Sequence, residues 1–200
     1  MKRLVDLLVG GVLLVITAPL TAVIALVTRV LDGPPAFFRQ MRSGRGGRPF
    51  AMTKIRTMRP PEPHETGPEH DEARMTHLGR ILRATSLDEL PTFWHVVRGQ
   101  MSLVGPRPLP VAYLARYSDE QARRLEVRPG VTGWAQVNGR NETSWRERLA
   151  MDVWYVDHQS LTLDLRILAL TANVVLRRSG VNQASGVTMT EFRGSTESAT

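Results

Sequence analysis

Leu7-Leu8-Val9-Gly10-Gly11-Val12-Leu13-Leu14-Val15-Ile16-Thr17-Ala18-Pro19-Leu20-Thr21-Ala22-Val23-Ile24-Ala25-Leu26-Val27-Thr28 holds no charged residue. As a helix it would reach roughly 33 Å, enough to cross a bilayer. Pro19 lacks a backbone donor and disfavours helix at Ala18, so a kink or break is expected at Ala18-Pro19. Lys2 and Arg3 precede the run, and Arg29 and Arg39 follow it. Cationic flanks prefer the cytoplasmic side, so cations at both ends predict a re-entrant helical hairpin. A single-span anchor and a cleaved secretory signal share the hydropathy. A buried core helix with no polar face would need a larger domain around it.

The whole chain has 200 residues, which suits one compact domain plus a membrane-contacting element. Its 26 Lys and Arg against 19 Asp and Glu give a formal charge of +7, which draws it to phosphates. There is no cysteine, so disulfides, thiolate metal sites and a cysteine nucleophile are excluded. Between residues 39 and 59 stand Arg39, Arg42, Arg45, Arg48, Lys54, Arg56 and Arg59 with no acidic residue. Anionic headgroups or a phosphorylated substrate would satisfy this strip, and the lack of interleaved aromatics speaks against nucleic acid. Ser43-Gly44-Arg45-Gly46-Gly47 reads as a turn that matches no phosphate-loop pattern.

Prolines and acidic residues over 60–72 read as a polar, extended connection. A short helix is expected over Leu78–Arg83. Ser86-Leu87-Asp88-Glu89 has the form of a capping box opening a helix towards Gly99. Short helices are expected over 111–117 and after Ser118, and a further one from Ser144 to about Asp157. The last, Asp164–Arg178, would stop at Gly180. The glycine-punctuated stretch Arg128–Arg140 suggests short strands or an irregular hairpin.

For chemistry, Asp88 and Glu89 are adjacent carboxylates with Arg80, Arg83, Arg98 and Arg107 near in sequence. A capping box uses only Ser86 and Glu89, so Asp88 is surplus to it. Such a pair could hold Mg²⁺ together with phosphate oxygens, or supply a carboxylate that attacks phosphorus to form an acyl phosphate. His64, His70, His77, His95 and His158 show no metal-ligand spacing, and no Gly-x-Ser-x-Gly elbow occurs.

Three runs, Ser86-Leu87-Asp88-Glu89-Leu90-Pro91, Met101–Pro108 and Arg128–Asn141, together with Lys54-Ile55-Arg56-Thr57-Met58, strongly resemble the bacterial monotopic phosphoglycosyl transferases. The likeness extends from residue 1 to roughly 193. It implies a UDP-sugar donor, a polyprenyl phosphate acceptor, Mg²⁺ as cofactor, and a place on the cytoplasmic face of the bacterial inner membrane. It implies Asp88 as the nucleophile that takes the phosphosugar and releases UMP, with Glu89 as its partner and both as metal ligands. Lys54, Arg56, Arg83, Arg107, Arg128 and Arg140 fall in matching motifs as phosphate or uridine contacts, while Gly130, Gly133 and Gln136 would shape the donor loop. Close relatives place Ser where this chain has Ala18, and often Pro where it has Ser43.

The expected fold is therefore α+β and mostly α. A re-entrant membrane hairpin occupies 1–36, a cytoplasmic α-rich catalytic domain with a short β-hairpin or irregular strands occupies 37–193, and 194–200 form a disordered tail. The reading from another class is a membrane-tethered basic binding module in which Ser86 and Glu89 only cap a helix. The sugar and the oligomeric state stay open.

Overall fold

The computed structural model describes residues 1–65, 67, 70–139, 143–177 and 191–194. The chain is mostly helical, with two two-stranded sheets. Helix α1 (Lys2–Leu31) leads into the antiparallel hairpin β1 (Phe37–Ser43) and β2 (Pro49–Ile55). Short helices α2 (Asp71–Arg74), α3 (His77–Ala84) and α4 (Thr92–Val97) follow, then β3 (Ser102–Val104) and α5 (Asp119–Ala122). Strand β4 (Gly130–Thr132) pairs in parallel with β3, and α6 (Trp134–Asn138), α7 (Trp145–His158) and α8 (Leu161–Arg177) complete the described elements.

Through Ala18 and Pro19, where a kink or break is expected, the chain stays helical. The proline costs one intrahelical bond, and the Thr17 and Thr21 hydroxyls donate back to the carbonyls of Leu13 and Thr17 at 2.7 and 2.8 Å, a pattern that bends helices without ending them. Both ends of α1 are fastened to one domain. At its start Lys2 Nζ meets Asp164 Oδ2 at 2.5 Å, Arg3 donates to the carbonyls of Val96 and Val97, and Asp6 Oδ1 accepts from Ser102 Oγ and Leu103 N. At its end Ile24 joins Ile55 and Leu82 in a small core, Thr28 is buried, and Thr76 Oγ1 donates to Asp32 Oδ2. Between these anchors Val12, Val15, Ile16, Leu20 and Val23 are exposed. Apolar surface of that extent needs a cover that this chain's own core does not supply. Among the described residues α1 is the one helix long and apolar enough to cross a membrane.

The main core gathers Phe50 and Met52 of β2, Val96 of α4, Leu103 and Val104 of β3, Tyr155 of α7 and Ile167 of α8. The hairpin lies in the basic strip, and of the short strands or irregular hairpin expected in 128–140 one short strand, β4, forms. Phe50 and Met52 alternate inward along β2, whereas after Gly130–Thr132 the glycine-rich stretch turns into α6. The caps at Ser118 and Ser144 form complete capping boxes. Helix α8 begins three residues earlier than expected, and Gly180, like the tail from Ser195, lies outside the described residues.

Candidate active site

Asp88 and Glu89 sit in a 3₁₀ turn, Leu87–Glu89, between α3 and α4. The capping box expected at Ser86 does not form. Ser86 takes a left-handed conformation, φ 57°, and its side chain caps nothing. A non-glycine residue held there costs about 1 kcal/mol or more, and such residues gather at functional sites. The reason is on the acidic side chain: Glu89 has turned away from the backbone. Its Oε1 accepts from Lys54 Nζ of β2 at 2.5 Å and from Arg107 Nη2, in the loop after β3, at 2.8 Å.

Asp88 is 7% exposed, and no described residue donates a hydrogen bond to its carboxylate. The two carboxylates are therefore neighbours in sequence and opposites in environment. Burial pushes the Asp88 carboxyl above its ordinary range, with Lys54 opposing, Glu89 adding to the rise, and Arg83 and Arg107 opposing more weakly. Burial works on Glu89 in the same direction, but Arg107 and Lys54 overcome it and hold Glu89 well below the usual carboxylate range. Adjacent titratable groups pushed apart in this way are suited to different roles. Burial also lowers the Lys54 ammonium, and Glu89 raises Arg107.

Three of the cations expected at the site thus gather round the dyad: Lys54, Arg107 and Arg83, whose Nε donates to Thr57 Oγ1 at 3.0 Å. Arg42 of β1 joins them, although the sequence reading placed it only in the basic strip. Its guanidinium donates to Pro108 O and Gln40 Oε1, its Nε is buried without a partner, and burial beside Arg107 brings it down to about 10. The only signal for it was that strip. Four cations against two carboxylates leave a surplus that suits a polyanionic ligand.

Other expected contacts are occupied elsewhere. Arg56 is 6% exposed and spends its guanidinium on the carbonyls of Asp32, Gly33 and Pro34, locking the chain as it leaves α1. Arg128 Nε donates to Gly99 O at the end of α4. Gly130 and Gly133 lie where the backbone of Gly105 crosses: an added Cβ would come within 2.1 Å of Gly105 N and 2.2 Å of Gly105 O. Gln136 Nε2 holds Val131 O, and its Oε1 is buried without a partner. Arg140 lies outside the described residues. Beneath the site a buried pair, Arg124 with Asp152 at 2.7 Å, also donates from Arg124 Nη2 to Arg107 O at 2.6 Å, so the loop presenting Arg107 is tied to α7.

No group of three or more His, Cys, Asp or Glu converges among the described residues. A dedicated all-protein cation cage is thus not built from them. Two adjacent carboxylates are the kind of partial shell that Mg²⁺ accepts when phosphate oxygens complete it.

The family described as bacterial sugar transferase matches residues 1–178, a span that includes α1, the hairpin, the dyad and the loops that carry Arg107 and Gly130. The chain belongs to the bacterial sugar transferases. Among relatives in that family, an uncharacterized sugar transferase of Bacillus subtilis, EpsL, is 47% identical over 195 residues, covering 98% of this chain and 96% of its own. The UDP-glucose:undecaprenyl-phosphate glucose-1-phosphate transferase of Caulobacter vibrioides is 43% identical, over 88% of this chain and 69% of that protein. The undecaprenyl-phosphate galactose phosphotransferase of Salmonella typhimurium is 38% identical over 90% of this chain, which spans 41% of that longer protein.

Proposed function

We propose that this bacterial sugar transferase moves a sugar-1-phosphate from a UDP-sugar to polyprenyl (undecaprenyl) phosphate through a covalent intermediate on Asp88, starting glycan assembly. The observation that carries the reading is the contrast inside the dyad: a buried Asp88 carboxylate with no hydrogen-bond donor among the described residues beside a Glu89 fixed by Lys54 and Arg107. An Asp88 oxygen not held by hydrogen bonds can attack the sugar-bearing phosphorus of the donor. The new bond is carboxylate oxygen to phosphorus, and the bond that breaks joins that phosphorus to the bridging oxygen, so UMP departs with the electron pair. A phosphate oxygen of the polyprenyl phosphate then attacks the same phosphorus, returning Asp88 as carboxylate and leaving a polyprenyl diphosphate sugar. Lys54, Arg83, Arg107 and Arg42 are positioned to neutralise charge on the phosphoryl oxygens. Asp88 and Glu89 are the residues that would hold Mg²⁺ with the donor's phosphates, and it would supply further charge neutralisation there.

The membrane arrangement follows the same reading. Both ends of α1 are tied to one domain while its middle is apolar and exposed, so a helix entering and leaving the bilayer on one face fits better than a full crossing. Basic residues at both ends favour the cytoplasmic side of the inner membrane for that face. The test is UMP release from a panel of UDP-sugars by the detergent-solubilised protein with Mg²⁺ and polyprenyl phosphate. Wild type should release UMP with at least one sugar and Asp88→Asn with none; near-normal release by Asp88→Asn would exclude the assigned nucleophile.

A further inference from the structure

Three consecutive carbonyls of the loop that presents Arg107 are held by hydrogen bonds. Arg107 O accepts from Arg124 Nη2 at 2.6 Å, Pro108 O from Arg42 Nη1 at 3.3 Å, and Leu109 O from Ser43 N and Oγ at 2.9 and 3.1 Å. These bonds fix the backbone, and the side chain of Leu109 is seated separately. It is 8% exposed, in an apolar cluster with Tyr113, Leu149 and Phe192. Phe192 comes from far along the chain, beyond the residues 1–178 that the family matches. Its ring lies 5.6 Å from those of Tyr113 and Trp145 and 5.8 Å from that of Tyr117, centroid to centroid. Polar bonds fasten the same segment. Phe192 N donates to the Tyr113 hydroxyl at 3.2 Å, and Arg116 Nη1 donates to Phe192 O at 2.5 Å and to Glu191 Oε1 at 2.7 Å.

The cluster reaches Arg107 by two routes. Leu109 is two residues away, and Pro108 and Pro110 fix φ on either side of it, so a shift of Leu109 is passed along the loop instead of being absorbed. Tyr117, against which Phe192 packs, accepts at its hydroxyl from Arg124 Nη1 at 3.3 Å, and the same guanidinium holds Arg107 O. We infer that Phe192 is a positioning residue for the reaction: docked in this cluster, it sets where Arg107 stands against the donor's diphosphate. The inference rests on the reading of the chain as a UDP-sugar transferase.

The experiment measures two quantities at a temperature where every variant is folded. One is the affinity for UDP, which carries the donor's diphosphate, by calorimetry. The other is hydrogen exchange at the amide of Ser43, whose N–H reports on Leu109 O. Phe192→Ala should weaken UDP binding about 10-fold, as loss of one hydrogen bond to a charged group commonly does. In an Arg107→Ala background the same change should alter it less than about 2-fold, because the contact it acts through is gone. Phe192→Leu, which refills the cage, should recover most of the affinity. Exchange at Ser43 should quicken in Phe192→Ala, while Arg56, whose N–H donates to Ala36 O beyond the far end of the hairpin, should not follow. Unchanged UDP affinity in Phe192→Ala would overturn the inference. So would an equal loss in both backgrounds or a parallel rise at Arg56, either of which would mean that Phe192 supports the fold and not Arg107. Absence of UDP binding in wild type would sink the donor reading, while Ser43 against Arg56 would still decide whether Phe192 holds the loop.

Discussion

Replacing Asp152 with Asn tests how the Arg107 loop is held. Arg124 and Asp152 are 2% and 6% exposed at their side chains, and the guanidinium donates to Asp152 Oδ2 from Nε at 3.0 Å and from Nη2 at 2.7 Å. The variant keeps shape and leaves a buried cation without its counterion, a change that costs about 3–5 kcal/mol. In a protein of this size each kcal/mol lowers Tm by about 2–4 °C, so a fall of about 6–20 °C is expected. Thermal unfolding of the solubilised protein, followed by circular dichroism, reads it. Arg124→Met/Asp152→Leu removes both charges and should recover much of the loss, because the penalty lies in the unpaired charge. It leaves Arg107 O and Tyr117 OH without their Arg124 donor, a residual cost on the order of 1–3 kcal/mol. A fall below about 3 °C in Asp152→Asn, or a double variant less stable than the single, would refute the account of a desolvated pair whose strength depends on both partners.

Phe192 is 3% exposed within a cage of Tyr113, Tyr117 and Trp145, so Phe192→Ala should destabilise by about 3–5 kcal/mol; a chemical-denaturation midpoint equal to wild type would contradict this. Because burial raises Asp88, and a carboxylate proposed as nucleophile must be ionised, formation of the proposed phosphosugar-enzyme should fail as pH drops through a midpoint above 3.8, the ordinary Asp value, with Glu89 still charged. Single-turnover rates against pH measure it, and an acid limb centred at or below 3.8 would count against Asp88. Gly79→Ala would bring a Cβ to 1.9 Å from Thr57 O, so α3 must shift at a cost of about 1–3 kcal/mol, moving Arg83 off Thr57. Both Tm and UMP release should fall, and unaltered values would show that α3 has slack.

The dyad at the centre of the candidate site was legible because it is local. Asp88 and Glu89 are adjacent, Asp88 was surplus to any cap, and the cations near them stood out by charge alone. The capping boxes at Ser118 and Ser144 were legible for the same reason, since a cap is a bond between residues three apart. At Ser86 the identical pattern misled. Lys54, 35 residues away, and Arg107, 18 away, outbid the backbone for Glu89, and charged partners in a half-buried setting are stronger than an amide. Arg56 shows the opposite case. It stands in a matching motif two residues after Lys54, but β2 ends at Ile55, and past the strand its guanidinium reaches the carbonyls after α1.

The amino-acid sequence by itself determined that a long apolar helix precedes the basic strip, that a surplus of cations favours phosphates, and that Asp88 and Glu89 are adjacent carboxylates of which a cap would need one. Each of these follows from composition or from neighbours within one turn. Only the tertiary structure decided which carboxylate is free and which is tied, that Arg42 belongs with Arg107, and that both ends of α1 return to one domain. Those outcomes depend on which distant side chains are brought within hydrogen-bonding range and how much water is excluded around them. Both are properties of packing, and no local pattern in the chain encodes them.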